Sequence, residues 1–176
     1  MLNWFLPDSF KPSIFHITPD FLMEKGMRGI ITDLDNTLVE WDRPLPTPRL
    51  AAWFQEMKKS GISIVIVSNN NEKRVEAFSR PLGIPYISRA RKPLKKAYLQ
   101  ALDLLGIPKE QTVVVGDQLL TDIFGGKKLG LSTILVVPVA DSDGWQTKLN
   151  RRIERMILKS FEKKGLLKWE GHSSGK

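Results

Sequence analysis

From residue 28 onward, short apolar runs alternate with stretches of helical periodicity. The runs are Gly29-Ile30-Ile31-Thr32, Ile62-Ser63-Ile64-Val65-Ile66-Val67, Ile84-Pro85-Tyr86-Ile87, Val113-Val114-Val115 and Thr133-Ile134-Leu135-Val136-Val137. They are β-branched and nearly continuous, the pattern of parallel strands buried on both faces. Thr47-Pro48 is a helix N-cap followed by proline at the first helical position, and Ser60-Gly61 closes that helix. Asn71 caps the next helix, which Pro81 stops. Pro93 opens a third that ends near Leu105-Gly106, and Thr121 or Asp122 starts a fourth that runs to about Leu129-Gly130. Strands alternating with helices imply right-handed crossovers and an α/β, Rossmann-like, doubly wound parallel sheet.

Two segments flank this core of about residues 28–140. Residues 1–27 carry Trp4, Phe5, Phe10, Ile14, Phe15 and Phe21, which are expected to pack against the sheet as short helices. From Trp145, the residues Leu149, Ile153, Met156, Ile157 and Phe161 recur at helical spacing and predict an amphipathic helix over about 146–169. Its apolar stripe is expected to pack on the domain. The end, from Gly171, reads as frayed.

Composition narrows the class. A chain of 176 residues fits one domain, and 41% hydrophobic with 26% charged residues is ordinary globular composition. The absence of cysteine excludes a disulfide scaffold, a thiolate metal site and a cysteine nucleophile. No apolar run approaches the ~20 residues of a membrane span. The first eight residues lack a basic n-region, so neither a signal nor a transit peptide is read and a cytoplasmic location is expected. The net charge is +8, and six of those charges lie from Trp145 onward, where nine lysines and arginines face Glu154, Glu162 and Glu170. Lys148, Arg151, Arg152, Arg155, Lys159, Lys163 and Lys168 make residues 148–168 a candidate contact for an anionic membrane, with nucleic acid the less favoured partner and a solvated face the plain alternative.

Ligands of such sheets bind beyond the carboxyl ends of the strands. There the first strand runs into Asp33-Leu34-Asp35-Asn36-Thr37, the second into Ser68-Asn69-Asn70, and the fourth into Gly116-Asp117-Gln118-Leu119-Leu120-Thr121-Asp122. Lys92 follows the third. Crowded carboxylates repel, so a cation is expected among them. For Asp33 and Asp117 a purely structural role is unattractive, because each directly follows a run that should be buried. Ser68 and Asn71 could be caps, Lys92 a solvated charge, and Asp122 a helix N-terminal charge.

These four clusters, in this order over about residues 28–140, resemble the motifs of the haloacid dehalogenase superfamily. The fuller strings D-L-D-N-T-L, S-N-N and G-D-Q-L-L-T-D, with the basic tail, are similar to its YqeG and phosphatidylglycerophosphatase-like phosphatases of subclass IIIA. The resemblance implies a Mg²⁺-dependent phosphomonoester hydrolase working through an aspartyl-phosphate. It makes Asp33 the nucleophile and Asp35 the general acid and base. Asp33, Asp117 and a main-chain carbonyl near Asp35 would hold the metal. Ser68, Asn69 and Lys92 would bind phosphoryl oxygens, and Thr37 and Asp122 would support, Asp122 by orienting Lys92 or a metal-bound water.

Only about 20 residues separate the first cluster from the second strand, and a helix takes most of them. Glu40-Trp41-Asp42-Arg43-Pro44 can form a short flap, with no room for a cap domain. An open site suits a large substrate such as a lipid head group, and the resemblance makes phosphatidylglycerophosphate the preferred one, with a location at the inner face of the membrane. Another small or nucleotide-linked monoester is the enzymatic alternative. A non-catalytic protein that binds nucleic acid or the ribosome through its basic tail is the other. His16 and His172 lie outside every cluster, and Trp53 is expected in the core.

Overall fold

The computed structural model describes residues 2–140 and 145–166. Its strands are β1 (Ser9–Lys11), β2 (Gly29–Thr32), β3 (Ser63–Val67), β4 (Tyr86–Ile87), β5 (Thr112–Gly116) and β6 (Ser132–Val136). The helices are α1 (Pro19–Glu24), α2 (Pro48–Lys59), α3 (Glu72–Ser79), α4 (Lys95–Leu105), α5 (Phe124–Lys127) and α6 (Trp145–Lys163). All strand pairs are parallel, in the order β1-β6-β5-β2-β3-β4. The α/β, Rossmann-like architecture expected from the sequence is the one observed.

The sheet is buried on both faces, as the continuous apolar runs require. On one face Ile30, Ile64, Ile66, Val113 and Val115 pack with Leu50, Trp53, Phe54 and Met57 of α2 and Phe78 of α3. On the other, Ile31, Val65, Val67 and Val114 pack with Ala97, Tyr98 and Ala101 of α4. Trp53 is in the core, and its indole N–H donates to the Ile17 carbonyl at 2.8 Å. The predicted caps act: the Thr47 hydroxyl accepts from Leu50 N at 3.2 Å, and the Asn71 side chain accepts from Arg74 N at 3.0 Å.

Four details differ from the sequence reading. The N-terminal segment supplies a strand as well as short helices, since β1 pairs with β6 and puts Phe10 into the core. Pro93 does not begin the third helix, which starts at Lys95. The fourth helix begins early, as a π-helical turn over Leu119–Ile123 that leads into α5. The wider turn is closed by Ile123 N, which donates to the Gln118 carbonyl five residues back at 3.3 Å.

The packed face of α6 is also rotated from the expected stripe. Ile157 and Leu158 lie against the cluster of Phe10, Leu119, Ile123 and Leu135, with Phe161 buried beside them, whereas Ile153 and Met156 are exposed, 70% for Met156. Glu154 takes the inward position and accepts from Leu120 N at 3.1 Å, which satisfies an amide of the π-helical turn. Arg152, Arg155, Lys159 and Lys163 are exposed. The side chains of Leu149 and Arg151, together with Lys168 and the expected frayed end, lie outside the described residues.

Candidate active site

The chain winds from β2 outward to β4, returns to β5 beside β2, and continues to β6. The order therefore reverses between β2 and β5, where a doubly wound sheet opens a crevice at its carboxyl edge. Asp33 is the first residue after β2 and Asp117 the first after β5, so the reversal sets them side by side. Asp33 N donates to the Val115 carbonyl at 3.0 Å, extending the β2–β5 ladder to the aspartate itself. The backbone then turns at Asn36, whose φ of 64° is left-handed and is tolerated by asparagine. That turn returns Thr37, whose hydroxyl donates to Asp117 Oδ1 at 2.9 Å and lies 3.4 Å from Asp33 Oδ2.

Lys92 enters from the loop after β4. Its main-chain N–H donates to Asn69 Oδ1 at 2.7 Å, and the same loop is stitched to Ser68 by the bond from Ala90 N to the Ser68 carbonyl at 3.0 Å. Its ammonium, 4% exposed, donates to Asp33 Oδ1 at 2.6 Å and Asp122 Oδ1 at 2.7 Å. The other oxygen of Asp122 accepts from Gln118 N at 3.2 Å. Gly116 makes this arrangement possible, because a Cβ there would collide with the Asp122 carboxyl. Beneath it, Tyr98 donates to the Thr121 carbonyl at 2.8 Å, and a Cβ at Gly125 would strike the Tyr98 ring.

Asp33, Asp117 and Asp122 each place a carboxylate oxygen within 4.8 Å of the others, and all three are buried. Burial works against the charge of Lys92, but Asp122 and Asp33 outweigh it and hold the lysine well above its ordinary range. Burial pushes the Asp122 carboxyl up to about 6; Lys92 opposes that shift and the Asp33 charge adds to it. Tyr98 is raised by burial and by the Asp122 charge. Three carboxylates therefore crowd into one buried space among the described residues. A donor set made only of carboxylate oxygens fits a hard divalent cation. Both oxygens of Asp122 are engaged, by Lys92 and by Gln118 N, which leaves Asp33 and Asp117 as the pair that could hold it.

The side chain of Asp35 is not in that cluster. Its Oδ2 accepts from the Asn70 side-chain amide at 3.0 Å, and its Oδ1 accepts from Arg74 Nε at 3.2 Å and Nη2 at 3.0 Å. Burial raises the Asp35 carboxyl, the Asn70 bond lowers it, the Asp33 charge raises it and Arg74 lowers it, with a net rise. Ser68 is buried, and its hydroxyl accepts from Asn70 N at 3.1 Å. Of the expected site residues, Asp33, Thr37, Lys92, Asp117 and Asp122 form one bonded group, while Asn69 fastens the lysine loop. His16 bonds Ser13 at 2.9 Å, away from the site. Sequence reasoning missed Arg74, Asn70 as the Asp35 partner, and Tyr98. Asn70 lay within S-N-N, and Arg74 one helical turn beyond it.

The model of the haloacid dehalogenase-like hydrolase family matches residues 22–130. The probable phosphatase YqeG of Bacillus subtilis is 60% identical over 96% of this chain and 98% of its own length. The chloroplastic phosphatidylglycerophosphate phosphatase 1 of Chlamydomonas reinhardtii is 31% identical over 85% of this chain, which spans 59% of that enzyme. The cobalt-bound deoxy-D-mannose-octulosonate 8-phosphate phosphatase of Haemophilus influenzae shares the fold at 17% identity, with a TM-score of 0.54 over 79% of this chain and 91% of that one. The chain belongs to the haloacid dehalogenase-like hydrolase family, and the reading of its sequence as an enzyme of phosphatase type is borne out.

Proposed function

We propose that the chain hydrolyses a phosphomonoester at Asp33 with a bound Mg²⁺, and that its substrate is phosphatidylglycerophosphate. The observation that carries the chemistry is the Lys92 ammonium lodged between Asp33 and Asp122 beside Asp117. Asp33 attacks phosphorus and the ester bond breaks, leaving an aspartyl-phosphate and the alcohol. Asp35 gives its proton to the departing oxygen and later takes one from the water that cleaves the acyl phosphate. Lys92, Ser68 and the amides that follow it hold the phosphoryl oxygens. Asp33 and Asp117, with the main-chain carbonyl of Asp35, would hold the Mg²⁺, whose chemistry here is to mask the charge between carboxylate and phosphate.

The lipid substrate is supported by the likeness to the Chlamydomonas enzyme and by a connection from β2 to β3 that carries α2 and no cap domain. The exposed cations of α6 support peripheral contact with an anionic membrane from the cytoplasmic side, and no helix among the described residues is long and apolar enough to cross a membrane. Asp33→Asn should abolish turnover of a monoester panel that includes this lipid, with the melting temperature within a few degrees of wild type. Near-native turnover by Asp33→Asn would exclude the aspartyl-phosphate route. Wild-type turnover of other monoesters but not of the lipid would exclude the substrate alone.

A further inference from the structure

We infer that Arg74 reads the leaving group: it binds a second anionic group on the alcohol portion of the substrate, a phosphodiester or phosphate a few bonds from the scissile ester. The inference rests on the proposed roles of Asp33 and Asp35 and deepens them. If Asp35 protonates the departing oxygen, the alcohol leaves beside the Asp35 carboxyl. Arg74 stands there, 3.0 Å from Asp35 Oδ1.

Its setting is that of a recognition group rather than a surface charge. The side chain is only 13% exposed, and Nη1 donates to the Pro44 carbonyl at 3.1 Å, which ties the guanidinium to the segment over residues 40–44. Nε and Nη2 hold Asp35, so these bonds together engage three N–H groups. A guanidinium has five, and its planar fork suits a phosphate. Two N–H groups therefore stay available on a guanidinium that is largely withdrawn from solvent.

The neighbouring charges favour an anion. Arg89 and Arg91 are exposed on the loop that follows β4, both with left-handed backbone, φ 47° and 54°. Non-glycine residues hold that conformation at a cost of about 1–2 kcal/mol each. Arg89 N donates to the Asn70 carbonyl at 2.8 Å, and Asn70 is the residue that holds Asp35, so this loop and Arg74 belong to one rim. Glu40 is paired with Arg43 at 2.7 Å, while Glu72 accepts from Tyr86 and Ser88 and is held low by those bonds and by the Arg89 charge.

The test compares three substrates in wild type, Arg74→Gln and Arg74→Lys. Glycerol 3-phosphate has an uncharged leaving alcohol. The deacylated, water-soluble head group of phosphatidylglycerophosphate carries a phosphodiester on its leaving alcohol, and the intact lipid in detergent micelles carries it in place. Arg74→Gln should lose about tenfold or more in kcat/KM on both charged substrates relative to glycerol 3-phosphate, mostly through KM, because a charge-assisted bond is gone. Arg74→Lys should recover much of that preference, since it keeps the charge. Equal losses on all three substrates, or a lysine variant as impaired as glutamine, would reduce Arg74 to a tether for Asp35 and overturn the inference. A loss confined to the micellar lipid would overturn it too, because the charged leaving group would not be what is read. Wild-type protein inactive on every monoester would instead remove the phosphatase reading beneath it.

Discussion

Replacing Lys92 with methionine is the sharpest test of the buried charge cluster. The ammonium is 4% exposed and sits between carboxylates 9% and 1% exposed, at 2.6 and 2.7 Å. Methionine keeps most of the stem but removes the Lys92 charge from among the three crowded acids Asp33, Asp117 and Asp122. Removing one partner of a buried pair costs about 3–5 kcal/mol. At roughly 2–4 °C per kcal/mol for a domain of this size, the metal-free variant should melt about 6–20 °C below wild type. The loss should depend on pH with a definite sign. The folded-state Asp122 carboxyl is raised to about 6, above its ordinary 3.8, so the folded protein takes up a proton as pH falls through that value. A raised carboxyl is destabilising above its folded pKa and the deficit fades below it. Without Lys92, which opposes the shift, recovery should begin at still higher pH. Thermal melts in chelator between pH 8 and 5 measure both effects. A variant that melts with wild type at pH 8, or whose deficit grows as pH falls, would refute the claim that these charges depend on Lys92.

Three further outcomes are expected. Asp117→Asn should raise the melting temperature in chelator by relieving repulsion, and should shrink the upward shift caused by Mg²⁺; an undiminished shift would remove Asp117 from the metal site. Gly116→Ala should displace the Asp122 carboxyl, costing about 2 kcal/mol or more in a denaturant melt and at least tenfold in turnover, whereas near-native values would mean that Lys92 does not need Asp122. Reversing Arg152, Arg155 and Lys159 to glutamate should end co-sedimentation with phosphatidylglycerol vesicles, at about 1 kcal/mol per cation, while soluble monoester turnover survives. Wild-type protein that ignores the vesicles but binds RNA with steep salt dependence would assign α6 to nucleic acid.

Elements of this fold are legible where a residue's role is set by its immediate neighbours. β2, β3 and β5 follow from unbroken β-branched runs, and α2 and α3 from caps that bond within three residues. Asp33 and Asp117 are legible because an acid after a buried run lands on the edge of a parallel sheet. β1 is not, since Ser9-Phe10-Lys11 has one apolar residue and forms only because β6 offers an open edge. The face of α6 is misjudged because periodicity counts apolarity, while Glu154 turns inward for an amide 34 residues away. Arg74 is hidden for the same reason. On a helix whose inner face is Val75 and Phe78, an arginine in the first turn looks solvated, and its carboxylate partner is 39 residues distant. Polar side chains with distant partners are thus the ones a local pattern cannot place. Pairs of the same long range also build the candidate site, where the order of the strand-end motifs rather than periodicity picks the residues out: Lys92 reaches Asp33 across 59 residues and Thr37 reaches Asp117 across 80. A site built from long-range polar pairs depends on the sheet order, because only the return of the chain to β5 brings those pairs together.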